Sequence, residues 1–102
     1  MYKARDQVAN QEWVTVLDEA ATSLDLSEAA HTRAIDLFLS TVPSSDRSKQ
    51  AAIAASLYAG SLIEGDSRSQ SEVAEAVGVS RLTVQQRWKQ LVIEAGLNPP
   101  RW

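Results

Sequence analysis

The chain has 102 residues, of which 44% are hydrophobic and none is cysteine, and its formal net charge is −3. A chain of this length most simply forms one domain, here residues 1–102, with a core that needs no covalent staples. The lack of cysteine excludes disulfide bonds, a thiolate nucleophile and a cysteine-ligated zinc ribbon. The amino-terminal residues are charged and contain no apolar signal segment, so we predict a cytoplasmic location.

The charge is distributed unevenly along the chain. Residues 1–65 contain five Lys/Arg and nine Asp/Glu, a balance of −4, whereas residues 66–102 contain five Lys/Arg and four Asp/Glu, a balance of +1. If any part of the chain binds a polyanion, we therefore expect it to be the carboxy-terminal third.

The first half of the chain has the three- and four-residue periodicity of amphipathic helices. It predicts one helix over about residues 8–23 and a second from an N-cap at Ser27 to about residue 42. The predicted apolar face of the first helix consists of Ala9, Trp13, Val16, Leu17, Ala20 and Leu24. The predicted apolar face of the second consists of Ala30, Ala34, Ile35, Leu37, Phe38 and Leu39. Each helix is therefore expected to pack one side against a core.

Residues 46–64 are apolar around nearly the whole circumference of a third predicted helix, which Ser45 or Asp46 caps. A helix of this kind lies inside a protein or inside a membrane. The run is shorter than the roughly 20 apolar residues that span a bilayer, and Ser56, Gly60 and Ser61 interrupt it. We therefore predict a central, buried helix, ended by a left-handed cap at Gly65.

Two further helices are predicted over about residues 69–77 and 80–95. Ser69 and Glu72 have the spacing of a capping box, and Ser80 is suited to cap the last helix. The core-facing residues of the last helix are predicted to be Val84, Trp88, Leu91, Val92 and Ala95. The predicted fold class is all-α, with five helices and the third at the centre.

A short helix, a tight turn with glycine and a longer helix are typical of a helix-turn-helix, here over residues 69–95. Such a unit places the amino-terminal part of its second helix against base edges in the major groove. The residues predicted to contact bases are Arg81, Leu82, Gln85, Gln86 and Lys89. Those predicted to contact the DNA backbone are Arg68, Ser69, Gln70, Ser80, Thr83 and Arg87. A polar outer face is also ordinary helix surface, so the pattern permits a purely structural role or binding to a protein.

Residues 49–91 resemble the cyclin-like repeat of archaeal transcription factor B and its eukaryotic counterpart. The matching features are an alanine-rich helix with a Leu-Tyr pair, a Ser-Gln-x-Glu-Val-Ala segment, Gly-Val, and a Leu-Thr-Val recognition helix. The resemblance extends over about residues 24–95. It implies a five-helix cyclin fold that contains a helix-turn-helix and acts in archaeal transcription initiation. In the family's second repeat this unit reads a promoter element, and the repeat pair grips the TATA-binding protein on DNA.

The chain departs from the family in ways that limit this transfer. It lacks cysteines for the family's zinc ribbon and has room for one repeat, so polymerase recruitment in the usual manner is not expected. Gln85 and Gln86 stand where the family usually carries Arg and often Asn. A position that contacts bases is therefore neutral, and the family's promoter specificity does not carry over.

The predicted function is a DNA-binding transcription factor or regulator, and its partner is double-stranded DNA. A competitor of the full factor, or a dimer that replaces the missing repeat, fits the same residues. The alternative is a protein-interaction module that binds the TATA-binding protein or another transcription factor through its acidic first half, without reading DNA.

Other site chemistry finds no support in the sequence. His31 is the only histidine and has no cysteine or acidic cluster at ligand spacing, so we predict no metal site. The chain has neither a G-x-S-x-G motif nor a phosphate-binding glycine motif, and we predict no enzyme activity, cofactor, small-molecule substrate or membrane association. The terminal Arg101 and Trp102 either present their side chains to a partner or pack back on the helices, and we expect the second because the indole would otherwise be exposed.

Overall fold

Five α-helices account for the regular structure of residues 10–97, which are the residues that the computed structural model describes. They are α1 (Gln11–Ser23), α2 (Glu28–Ser40), α3 (Asp46–Ile63), α4 (Gln70–Val77) and α5 (Arg81–Glu94). No strand occurs among these residues, and the predicted all-α class with five helices is confirmed. The expected start of the first helix near residue 8, and the expected packing of Arg101 and Trp102, lie outside the described residues.

Helix α3 is the centre of the structure, as predicted, because it contacts each of the other four helices. Its buried residues are Ala52, Ile53, Ala54, Ala55, Ser56, Leu57, Ala59, Gly60 and Ser61. Small side chains bring its neighbours close. A Cβ atom added at Gly60 would lie 2.9 Å from the backbone nitrogen of Ala34, so α2 crosses α3 almost in backbone contact there.

Serine hydroxyls cap four of the five helices at their amino-terminal ends. Ser27 accepts a hydrogen bond from the amide of Ala30, and Ser45, rather than Asp46, accepts one from the amide of Ser48. Ser69 and Glu72 form the predicted capping box, and Ser80 accepts from the amide of Thr83. Each cap satisfies an amide that the helix itself leaves free, which is why these starts are readable from sequence.

Most of the helices end close to a residue with a positive φ, and α2 is the exception among residues 10–97. Gly65 (φ +74°) follows α3 as predicted, with the Asp66 amide bonded to the Ser61 carbonyl. Asp25 (φ +54°) ends α1 in the same way, which the sequence analysis did not anticipate. Helix α2 ends at Ser40, two residues before its predicted end, because the residue before Pro43 is disfavoured in a helix.

The buried face of α1 differs from the predicted one. Val16, expected in the core, is 37% exposed, whereas Val14 and Ala21 are buried. Trp13 is half-buried and packs against the core. The predicted and the observed buried residues both have helical spacing, and only the position of α1 against α3 and α4 selects between them. Within residues 10–97, none of the helices has the length and apolar content needed to cross a bilayer.

Candidate nucleic-acid interface

Residues 69–95, which we call the α4–turn–α5 unit, are held to the rest of the protein by apolar side chains from both helices. The buried members are Val73, Ala74, Val77, Val84, Trp88, Leu91 and Val92. Gly78 in the turn has φ +88°, and its amide and that of Val79 both donate to the carbonyl of Ala74. The left-handed conformation lets the chain reverse in three residues, which sets α5 against α4.

Trp88 fixes α5 to the central helix. Its indole is 5% exposed and meets the ring of Tyr58 on α3 edge to face, with 5.3 Å between centroids and 72° between planes. Such pairs add about 0.5–1.5 kcal/mol to the free energy of burying the rings. The ammonium of Lys89 lies 5.6 Å from the Trp88 ring centroid. The outward face of α5 is therefore presented by a helix that cannot easily turn about its axis.

The five residues predicted to contact bases are all exposed on α5: Arg81, Leu82, Gln85, Gln86 and Lys89. Arg81 donates a long hydrogen bond of 3.3 Å to the side-chain oxygen of Gln85. Leu82 is 54% exposed, although it is a large apolar residue. Ile93, one turn beyond Lys89 on α5, is 59% exposed, and the sequence did not predict it as an exposed apolar residue. Amide, guanidinium and apolar groups are thus displayed together on one side of α5.

The predicted backbone-contacting residues have mixed surroundings. Ser69 and Ser80 are exposed, but their hydroxyls already serve as helix caps, and the Thr83 hydroxyl lies 2.9 Å from that of Ser80. Gln70 is half-buried in the first turn of α4. Arg87 is half-buried and donates to Glu94 at 3.1 Å.

Arg68 has an internal role that its sequence position did not reveal. Its guanidinium donates to the carbonyl oxygens of Leu24 (3.0 Å) and Asp25 (2.9 Å), and to the Asp66 carboxylate (2.7 Å). Its side chain is only 23% exposed. These bonds join the α3–α4 loop to the end of α1, so the Arg68 guanidinium is engaged within the protein and is not available to the DNA backbone.

Carboxylates balance the basic groups of the α4–turn–α5 unit. Three acidic residues (Glu72, Glu75 and Glu94) and three basic residues (Arg81, Arg87 and Lys89) sum to zero. The amide and hydroxyl of Ser69 hold the pKa of Glu72 below its usual range, so this exposed carboxylate is charged at neutral pH. Glu75 is also exposed on α4.

His31 pairs with a carboxylate of the neighbouring helix. Its Nε2 lies 2.6 Å from an Asp18 oxygen, which joins α2 to α1. Nowhere in residues 10–97 do three or more His, Asp or Glu side chains meet as a metal site would require.

Comparison with known proteins identifies the family of the chain. The model of the transcription factor TFIIB repeat matches residues 9–94. The chain is 38% identical over 87 residues to transcription initiation factor IIB of Pyrococcus abyssi (strain GE5 / Orsay), and equally to that of Pyrococcus horikoshii. Each alignment includes 82% of this chain but only 29% of the relative. Transcription initiation factor IIB 2 of Thermococcus kodakarensis is 47% identical over 47 residues, which is 46% of this chain and 15% of that protein.

The family match extends over all five helices, from just before α1 to the end of α5. The TFIIB repeat is a cyclin-like all-α fold, in agreement with the helices described above and with the resemblance seen in the sequence. The chain belongs to the transcription factor TFIIB repeat family.

Proposed function

We propose that this chain acts in transcription initiation or its regulation by binding double-stranded DNA, with α4–turn–α5 as a helix-turn-helix and α5 in the major groove. The observation that carries the proposal is the exposed polar face of α5. On this face Arg81 and Gln85 share one long hydrogen bond, and the contact of Trp88 with Tyr58 holds the helix against α3. The names of the relatives support the transcriptional role. Enzyme activity is not part of the proposal, and the cytoplasmic location stays a prediction.

Each exposed group on α5 matches a chemical feature of a base edge. Arg81 is suited to donate two hydrogen bonds to guanine, and Gln85 or Gln86 to pair with adenine through its amide. Leu82 is suited to contact a thymine methyl group. Lys89 supplies a cation toward bases or phosphates. Ser80 and Thr83, at the start of α5, face the backbone in this arrangement.

The test is the double variant Gln85→Ala/Gln86→Ala, measured against a library of randomised duplexes. We expect each lost bidentate pair to cost about 1–3 kcal/mol of discrimination. Gln11→Ala, an exposed glutamine on α1, is the matched control. NMR shift mapping with duplex DNA at moderate salt should show its largest shifts within residues 69–90. A double variant that selects the same duplexes as the parent would show that α5 does not read bases.

A specific observation also favours the second candidate, a module that binds the TATA-binding protein or another transcription factor. Glu19 on α1 and Glu28 on α2 are exposed carboxylates, and the α4–turn–α5 unit has no excess positive charge. Arg81→Glu/Lys89→Glu separates the candidates. This variant should lose DNA binding but retain a partner that docks on α1 and α2. If the parent chain shows no shifts with DNA, the second candidate is favoured.

A further inference from the structure

A groove of about 340 Å³ lies between the amino-terminal turns of α3 and the turn that leads into α5. Arg47 and Gln50 form its α3 wall, and Gly78, Ser80 and Thr83 are among the residues on the other side. Arg47 is the one charged side chain among the groove's lining residues in the described part of the chain. The groove therefore has the start of α5, the proposed DNA-reading helix, on one side and a cation of α3 on the other.

Arg47 differs from the other described arginines outside α5 in having no carboxylate partner. Arg33 is paired with Glu64, and Arg68 with Asp66. Arg47 is exposed and forms no ion pair within residues 10–97, although Asp46 precedes it in the same turn. Because no carboxylate is paired with it, the charge of this guanidinium is available to an anion from solution, and less so at high salt.

The position of Arg47 relative to α5 is fixed by contacts on both sides of the groove. Gln50, one turn further along α3, donates from its side-chain amide to the carbonyl of Val77 at 3.1 Å. That bond joins α3 to the end of α4, and Trp88 joins α5 to α3 two turns further on. Arg47 is thus held at the same end of the molecule as Arg81, the first residue of α5.

We propose that Arg47 binds a phosphate of the DNA strand that borders the major groove occupied by α5. The inference rests on the proposed function and extends its interface from the α4–turn–α5 unit onto α3. A guanidinium suits this role because its planar donors match two phosphate oxygens. A contact of this kind positions the protein on the duplex and carries no base information.

The matched pair Arg47→Glu and Lys49→Glu tests this assignment. Both changes lower the net charge by the same amount on the same turn of α3, but Lys49 does not line the groove. The probe is a fluorescein-labelled duplex of mixed sequence, about two helical turns or 21 base pairs long. Fluorescence anisotropy gives its affinity across a series of NaCl concentrations.

We expect Arg47→Glu to bind roughly tenfold more weakly, as for loss of a hydrogen bond to a charged group. Its plot of log affinity against log salt should be shallower by about 0.9, the contribution of one phosphate. Lys49→Glu should keep the parent slope. Arg47→Lys should keep the parent slope, and Arg47→Gln should show the same reduction of about 0.9 as Arg47→Glu. Circular dichroism and thermal melting verify folding, and Arg47→Gln decides the question if Arg47→Glu does not fold.

Two results would overturn the inference, and they are distinguishable. Equal effects of Arg47→Glu and Lys49→Glu would remove Arg47 from the interface while DNA binding by α5 stands. Absence of salt-dependent binding by the parent chain would refute the proposed function, and the role of Arg47 with it.

Discussion

Arg68 shows how a residue's neighbours decide its role. A basic residue just before a candidate helix-turn-helix is a reasonable phosphate ligand, yet its hydrogen bonds go to Leu24, Asp25 and Asp66. We expect Arg68→Ala to lower the free energy of unfolding by about 2–3 kcal/mol, because several carbonyl groups lose their donor. Arg33→Ala removes the ion pair with Glu64, which is more exposed, and should lower the free energy of unfolding by less than about 1 kcal/mol. Urea unfolding measures both, and equal losses would contradict the internal role of Arg68.

Asp66 makes part of the protein's stability dependent on pH. The Ser27 amide, and then the Arg68 guanidinium, hold the pKa of this carboxyl below its usual range. The unfolded chain therefore takes up this proton at a higher pH than the folded protein does. The stabilisation is present above about pH 4 and is lost as the pH falls through the lower, folded-state pKa of Asp66.

The variant Asp66→Asn should be less stable than the parent at neutral pH and should lose less stability on acidification. Urea unfolding from neutral pH to about pH 2 gives the two slopes. Glu72 has a pKa lowered by Ser69 and contributes a dependence of the same sign, so a smaller slope should remain in the variant. Identical slopes in parent and variant would show that the pKa of Asp66 is not lowered in the folded protein.

Ser56 and Ser61 are a matched pair of buried hydroxyls on α3. Both residues are 0% exposed, but the Ser61 hydroxyl donates to the carbonyl of Tyr58 at 2.8 Å, whereas that of Ser56 has no hydrogen-bond partner among residues 10–97. Ser56→Ala removes an unsatisfied polar atom and places a better helix former, so we expect about 1 kcal/mol of added stability. Ser61→Ala should not stabilise the protein. Thermal melting compares the two, and a loss of stability in Ser56→Ala would show that its hydroxyl is bonded.

At the scale of elements, the close approach of α2 to α3 depends on Gly60. In an exposed helix, a change from glycine to alanine is stabilising, by up to about 1 kcal/mol. Here the new methyl group would meet the Ala34 backbone nitrogen at 2.9 Å and the Ala30 carbonyl oxygen at 3.2 Å, and backbone atoms do not yield as side chains do. We expect Gly60→Ala to destabilise the protein by about 1–3 kcal/mol, as in other overpacked cores.

Ala59→Gly is the control for this prediction, because it changes helix propensity in the opposite direction on the same turn of α3. Both variants should lose stability in urea unfolding, Ala59→Gly through propensity and a lost buried methyl group. A stabilised Gly60→Ala would mean that α2 and α3 can separate at no cost.

Helix starts and stops were largely predictable because their signals are local. The four serine caps bond to amides three residues away, and Gly65 and Gly78 supply a positive φ directly after a helix. The buried side of α1 was predicted less well. Val14 and Val16 are both β-branched and apolar, and sequence spacing alone cannot say which of them meets a neighbouring helix.

For the whole molecule, the decisive property is the zero formal net charge of its proposed DNA-binding unit. The first helix of a helix-turn-helix crosses the DNA backbone, and here it exposes Glu75. We expect Glu75→Gln to raise DNA affinity about two- to fivefold at low salt, as for removal of one exposed charge repulsion. The gain should shrink as salt is added.

Glu19 is exposed on α1 and lies outside the proposed interface. The control variant Glu19→Gln changes the net charge by the same amount as Glu75→Gln. Fluorescence anisotropy with the same duplex should show no comparable gain for this control. Equal gains from both variants would indicate a general charge effect, and no gain from Glu75→Gln would place α4 away from the DNA backbone.

The five helices, their serine caps and the central position of α3 were predictable from sequence, because they follow from bonds between near neighbours and from a helix that is apolar on every side. The sequence also identified the side of α5 that faces solvent. The packing of the helices was needed to show which arginines of residues 10–97 form ion pairs there and which, like Arg47, form none. The physical reason is distance along the chain: Arg33 meets Glu64 across 31 residues and Arg68 meets Leu24 across 44. Contacts of that range depend on how the helices pack, which no local pattern specifies.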